Sequence, residues 1–203
     1  MNTKTQTLHL DALASRTSAE LANLYAGGTV PDTLAFLDGD LVGRMLAVHA
    51  LDAPPLAFLV THLARHHGFP WGGKSFAASS RTTGSGINRV RLFGEHRIFP
   101  FTTRVEPSHL DGKPCVVLDY DQVENPGFIR AIHDEVREVE SGLFLGPACL
   151  KRFSLLPPLR SGQVGGPLRV LWFALDARGA HVLAWSPCQT RKATSTTPST
   201  ISS

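Results

Sequence analysis

The sequence predicts an α+β fold in which an antiparallel, strongly curved or barrel-like sheet is packed by N-terminal helices and one inserted helix. Three observations carry this. From Lys74 onward, short runs rich in Val, Ile, Phe and Trp alternate with Gly, Pro and Asp turns, the texture of strands. Several of these runs, above all residues 168–175, are apolar on both faces, as in a strand covered on each side or built into a closed barrel. The first third of the chain instead places apolar residues at helical spacing behind capping signals.

The elements follow in order. Thr17-Ser18-Ala19-Glu20 is a capping box ahead of Leu21, Leu24 and Tyr25, with Gly27-Gly28 as the stop. Thr29 to Asp32 opens a second, short helix through Leu34 and Leu37, ended by Gly39. Residues 43–49 can form a strand. Asp52, Pro54 and Pro55 start a third helix through Leu56, Leu59, Val60 and Leu63, capped by Gly68. Strands are expected at 74–78, 87–93, 98–105, 114–120, 143–150, 167–175 and 180–186. Residues 176–179 turn the last hairpin. One helix interrupts them. Asn125 is its N-cap, and Phe128, Ile129, Ile132, Val136 and Val139 form a stripe at three- and four-residue spacing. His133, Asp134 and Glu135 then fall on its solvated face, and Arg130 reaches Asp134 at i,i+4.

The 203 residues suit one domain, expected over 17–186 between an N-terminal extension (1–16) and a disordered Ser/Thr-rich tail (187–203). A chain this long buries about 70% of its unfolded surface and needs no disulfide or metal to fold. Charged residues are only 18% of the chain, against about 25% usually, which leaves the apolar surplus that a cavity would absorb. The net charge of +3 is too mild to argue nucleic-acid binding, and basic and aromatic residues do not interleave. Residues 65–104 hold seven Lys and Arg and one acid, whereas 119–140 hold seven acids and two Arg, so the segments are expected to pair or face solvent, with a basic mouth for an acidic ligand as the alternative. Cys115, Cys149 and Cys188 form no CxxC pair, and the start lacks an apolar signal core, so the reading is free thiols in the cytoplasm. The apolar stretches are too short to cross a bilayer.

The most distinctive stretch is Phe69-Pro70-Trp71-Gly72-Gly73-Lys74-Ser75-Phe76. Two glycines allow close backbone approach, and Trp71 offers a large apolar face with one N–H. It lacks the spacing of a phosphate loop. Trp71 and Lys74 either line a pocket or plug a barrel end. Val117-Leu118-Asp119-Tyr120-Asp121 is an apolar strand ending in two carboxylates around a phenol, with Asp119 and Asp121 on one face and Tyr120 on the other if the strand continues. Paired carboxylates can split their pKa values and serve as acid and base. His133 can shuttle a proton. The catalytic candidates are therefore Asp119, Tyr120, Asp121 and His133. The ligand-binding candidates are Trp71, Lys74, Phe99, Phe101, Arg104, Arg130, Trp172 and Phe173. His62, His66 and His67 lack an HExxH glutamate, so no metal is assigned, and no cofactor pattern is present.

Leu41-Val42-Gly43-Arg44, an apolar helix and then Trp71-Gly72-Gly73-Lys74-Ser75-Phe76 resemble the bacterial and fungal GXWXG family, with its associated domain of unknown function. Tyr120-Asp121, Pro126 and residues 128–139 are similar to that second domain. The resemblance covers roughly residues 20–175, and Met45 and Ala47 stand where the family has its first Trp and second Gly. It implies no activity. The family's Gly-x-Trp element is similar to that of small lipid-binding calycin barrels, which bears on the fold alone.

The function expected is an enzyme or binder for a small apolar molecule, lipid-, isoprenoid- or polyketide-like. Its cavity would hold about 300 Å³ or more. Any chemistry would be acid–base isomerisation, cyclisation or elimination without a cofactor. The alternatives are a non-catalytic carrier and a ligand-free interaction protein.

Overall fold

The structure is a computed structural model that describes residues 8–48, 71–91, 93–151 and 168–180. Eight antiparallel strands close a barrel in simple sequence order. They are β1 (Gly39–Val48), β2 (Trp71–Ala78), β3 (Thr83–Arg91), β4 (Glu95–Pro107), β5 (Pro114–Asp119), β6 (Ile132–Glu140), β7 (Leu143–Leu150) and β8 (Leu168–Asp176). β8 returns to pair with β1. The expected barrel-like α+β architecture is thus present, and closure removes the sheet edges that invite aggregation.

Two helices cover the outer wall. α1 (Leu10–Ala14) packs on β1 and β8, and α2 (Ser18–Gly27) on β6 and β7. α2 starts as its sequence dictates. The Thr17 side chain accepts from the Glu20 N–H, and the Glu20 carboxylate accepts from the Thr17 N–H. α1 lies within the stretch read as an N-terminal extension, and its Leu13 is fully buried against the barrel. Leu13, Leu21, Tyr25 and Trp172 share this outer core. This explains the two apolar faces of β8. Trp172 and Ala174 face the helices, whereas Leu171, Phe173 and Leu175 face the interior. The second expected helix shrinks to a 3₁₀ turn, Leu34–Leu37, which packs under the inner core near β2. The segment read as a strand over 43–49 is β1, beginning at Gly39.

The largest correction lies after Asn125. Only Gly127–Arg130 is helical (α3), and Asn125 is not its cap; its amide N–H₂ donates to the carbonyls of Pro100 and Tyr120. Residues 132–140 form β6, which fills the place between β5 and β7. The helical stripe was an accident of spacing. Along β6 the faces alternate: Asp134 and Val136 point inward, His133, Glu135 and Arg137 outward. Both faces carry buried charge, which hides the period of two. His133, Asp134 and Glu135 are accordingly buried rather than solvated.

The third expected helix (52–68), His62, His66 and His67, the strand 180–186, Cys188 and the Ser/Thr-rich tail lie outside the described residues, Ala180 apart. No helix among the described residues is long and apolar enough to cross a membrane.

Candidate functional site

The barrel interior is filled at one end and hollow at the other. Leu34, Leu37, Phe76, Phe101, Leu118 and Val136 make a closed core. Beyond them lies a cavity of about 200 Å³ lined almost wholly by apolar side chains, including Met45, Trp71, Val90, Phe99, Ile132, Leu171 and Phe173. α3 contributes Ile129 and the half-exposed Phe128 to the lining. The volume is below the 300 Å³ expected from sequence. Where core and cavity meet, Lys74, Asn88, Tyr120 and Asp134 converge from β2, β3, the end of β5 and β6.

The Trp-Gly-Gly-Lys spacing makes this convergence possible. In a regular strand, residues 71 and 74 would face opposite sides. The β2–β3 register slips between Trp71 and Gly73, adding one residue to β2, so both side chains line the cavity. Gly73 adopts φ +122°, and a Cβ there would stand 2.0 Å from the Leu41 carbonyl oxygen. A Cβ on Gly43 would meet both Gly73 Cα and the Trp71 ring at about 2.6 Å. The glycines are therefore what lets β1 and β2 close under the indole. A second slip sits in β4, where Phe99 takes φ +60° as the extra residue between the Ile87–Pro100 and Asn88–Ile98 pairs. A bulky residue in that region is strained, and such strain concentrates at functional sites.

The polar contacts are dense. Lys74 Nζ donates to Asn88 Oδ1 at 3.0 Å, to Asp134 Oδ2 at 3.1 Å and to the Tyr120 hydroxyl. The Tyr120 hydroxyl donates to Asp134 Oδ2 at 3.1 Å and accepts from Asn88 Nδ2 at 3.1 Å. Trp71 Nε1 donates to Asn88 Oδ1 at 3.1 Å. The rings of Trp71, Phe101, Tyr120 and Phe173 surround Lys74 Nζ at 5.1–5.4 Å from their centroids, so their π-faces help a buried ammonium. Burial lowers the Lys74 pKa, with Asp134 opposing. Burial and the Asp134 charge raise that of Tyr120 well above its ordinary value. A buried lysine, phenol and carboxylate within mutual hydrogen-bond reach can take up, pass on and return a proton.

Among the residues singled out from sequence, Trp71, Lys74, Phe99, Tyr120 and Phe173 meet at this cavity. Phe101 lies just below, with its ring 5.2 Å from that of Tyr120. Trp172 does not belong; it faces outward and donates to Ser18 Oγ at 3.0 Å. Asp119 faces outward too, between Arg104 at 3.1 Å and Lys151 at 2.8 Å. Burial works against its charge, but the Lys151 ammonium, the Asp121 N–H and Arg104 hold its carboxyl at about 2. Asp121 pairs with Arg130 at 2.6 Å, so the expected Arg130–Asp134 pair is absent. Arg104 spends its guanidinium on Glu106 and Asp119. β5 stops at Asp119, yet Tyr120 turns into the cavity while Asp119 and Asp121 pair with cations outside it, which separates Tyr120 from both carboxylates. The basic and acidic segments do meet, through Lys74–Asp134 inside and Arg104–Asp119 outside.

His133 faces the outer wall. Its Nε2 lies 3.2 Å from Glu135 Oε1, which also accepts from the His109 N–H at 2.8 Å. Glu135 Oε2 accepts from Tyr25 at 2.7 Å and from Ser108. His109, His133 and Glu135 are the donor types that hold zinc, with ligand atoms within 4.8 Å of one another. Glu135, however, already has every oxygen engaged.

Asp134 and Asn88 were missed as site residues. Asp134 sits on the strand read as a helix. Asn88 is a lone amide in a strand, and only its direct pairing with Lys74 across β2–β3 marks it.

Comparison of the chain with protein-family models, with curated proteins and with solved structures gives no match.

Proposed function

We propose that the barrel binds a small apolar molecule and converts it by cofactor-independent acid–base chemistry, an isomerisation, cyclisation or elimination. The observation that carries this reading is the Lys74–Tyr120–Asp134 cluster at the floor of an otherwise apolar cavity. A cavity that only stored an apolar ligand would gain nothing from a buried ion pair, whose desolvation is costly. In the proposed reaction Asp134 accepts a proton from the substrate. Tyr120, held by Lys74 and Asn88, returns one to another substrate atom or to the leaving group, and the Tyr120–Asp134 hydrogen bond restores the starting state. The GXWXG resemblance adds a family setting to this reading and no reaction.

The rival is a carrier that uses the same cavity without chemistry, favoured by the almost wholly apolar lining. Tyr120→Phe separates the two. Ligand carried through purification is identified by native mass spectrometry, and its conversion is followed by chromatography. The enzyme reading expects turnover to fall by about 10²–10⁴-fold in the variant while binding persists. Recovery of an unchanged ligand after prolonged incubation with the wild type leaves the carrier.

A further inference from the structure

We infer that the molecule bound in this cavity is a small alcohol or phenol whose hydroxyl donates its hydrogen to Asp134 Oδ1. This rests on the cavity reading above and adds the class of ligand. Among the described residues, each donor and acceptor of the cluster can be matched to a partner, with one exception. Trp71 Nε1 can only donate and the Phe99 carbonyl can only accept. Asn88 places its oxygen on the first and its nitrogen on the second, at 3.1 and 3.3 Å, so its amide has one possible orientation. Its second N–H then goes to Tyr120. The three N–H groups of Lys74 go to Asn88, Tyr120 and Asp134 Oδ2. The Tyr120 O–H goes to Asp134 Oδ2. Every donor of the cluster is committed.

One acceptor is not. Asp134 is 4% exposed and lines the cavity, yet its Oδ1 has no hydrogen-bond partner among the described residues. A buried carboxylate oxygen without a donor is costly, so a ligand that brings one gains affinity. A ketone, ether or ester brings only acceptors to a cluster with no donor to spare among the described residues. A carboxylate adds repulsion from Asp134. An ammonium would stand beside the ammonium of Lys74. A neutral hydroxyl meets none of these objections.

Size narrows the class further. An engineered apolar cavity of about 150 Å³ binds benzene. At about 200 Å³ this one suits a single ring with small substituents, or a short branched chain.

The test uses the intact wild-type chain and matched six-membered rings: cyclohexanol, cyclohexanone, methoxycyclohexane, methylcyclohexane and cyclohexanecarboxylate. Binding is read by calorimetry. Cyclohexanol is expected to bind about tenfold or more tightly than every other member, the value of one hydrogen bond to a charged acceptor. In Asp134→Asn, checked for folding by circular dichroism, that preference should shrink to about threefold or less. Equal binding of all the neutral rings overturns the hydroxyl and leaves the apolar cavity standing. Tighter binding of the ketone, ether or carboxylate also overturns it. Failure of every ring to bind, methylcyclohexane included, overturns the cavity reading and this inference with it. The wild-type series decides even if the variant does not fold.

Discussion

On the inner face of β6, Asp134 shares one oxygen between Lys74 and Tyr120, and its other oxygen has no partner among the described residues. One residue on, across the barrel wall, Glu135 is fully buried and receives the Tyr25 hydroxyl, the Ser108 hydroxyl, the His109 N–H and His133. Burial alone would raise the Glu135 pKa, but these donors outweigh it and hold the carboxyl at about 2. Nearby, Arg137 is equally closed, with two of its N–H groups on Asp111 and the other three on the carbonyls of Tyr25, Lys113 and Pro114. The contrast teaches how to tell a buried carboxylate that builds a fold from one that serves a site. The first has its hydrogen bonds closed by the protein. The second has one left for something else.

The largest expected effect belongs to the outer wall. Glu135→Ala leaves four donors facing nothing and unpins α2 and the loop before β5. Its unfolding free energy should drop by about 3–5 kcal/mol, as when one partner of a buried charged network is removed. The sign of the pH dependence follows from the lowered pKa. Stability from Glu135 is present above the ordinary carboxyl value of 4.5 and is lost as pH falls toward about 2. Thermal melts of the wild type from pH 6 to 2 should therefore show a steep acid loss, and Glu135→Gln should flatten it. An unchanged acid limb in Glu135→Gln would put the charge of Glu135 outside the stability of the fold.

The inner pair should respond differently. Lys74→Met alone leaves Asp134 charged and unpaired in an apolar interior, at a cost of about 3 kcal/mol or more. Adding Asp134→Leu removes that charge, and most of the loss should be regained, because buried ion pairs are often replaceable by apolar groups. Turnover should be absent in both variants. A double variant no more stable than Lys74→Met would mean that the inner cluster is also part of the scaffold. Denaturant melts of the single and double variants close this cycle.

The same contrast explains what could be read from the sequence. The strand texture, the capping box at Thr17 and the doubly apolar β8 gave the barrel and its outer helices. Trp71, Lys74 and Tyr120 could be picked out because an indole, an amine and a phenol stand out in apolar strands. β6 could not, since Asp134 and Glu135 bury charge on opposite faces and leave no polar side to mark the period of two. That one misreading grouped His133 with Tyr120 as a catalytic candidate, whereas Tyr120 faces the cavity and His133 the outer wall. The joint facing of Trp71 and Lys74 was equally hidden, because it depends on the register slip at Gly72 and Gly73 and on the close approach of Gly43.

The smallest effect is expected at the rim, where Asp119 and Asp121 were read as the acid and base. Asp119 bridges Arg104 and Lys151 and accepts from the Asp121 N–H at 3.1 Å. Asp121 is half exposed and holds Arg130. Ion pairs of this kind contribute about 0–1 kcal/mol, because water screens them and long side chains lose freedom to form them. Asp121→Asn should therefore melt within about 0.5 kcal/mol of the wild type. Asp119→Asn should cost somewhat more, up to about 1 kcal/mol, since it touches two cations. Its amide oxygen can still accept from the Asp121 N–H. Neither change reaches Asp134, so ligand binding and turnover should stay at wild-type levels in both. Turnover reduced about tenfold in either variant, with the melt unchanged, would return the rim carboxylates to the mechanism. It would also displace the inner cluster as the sole source of protons.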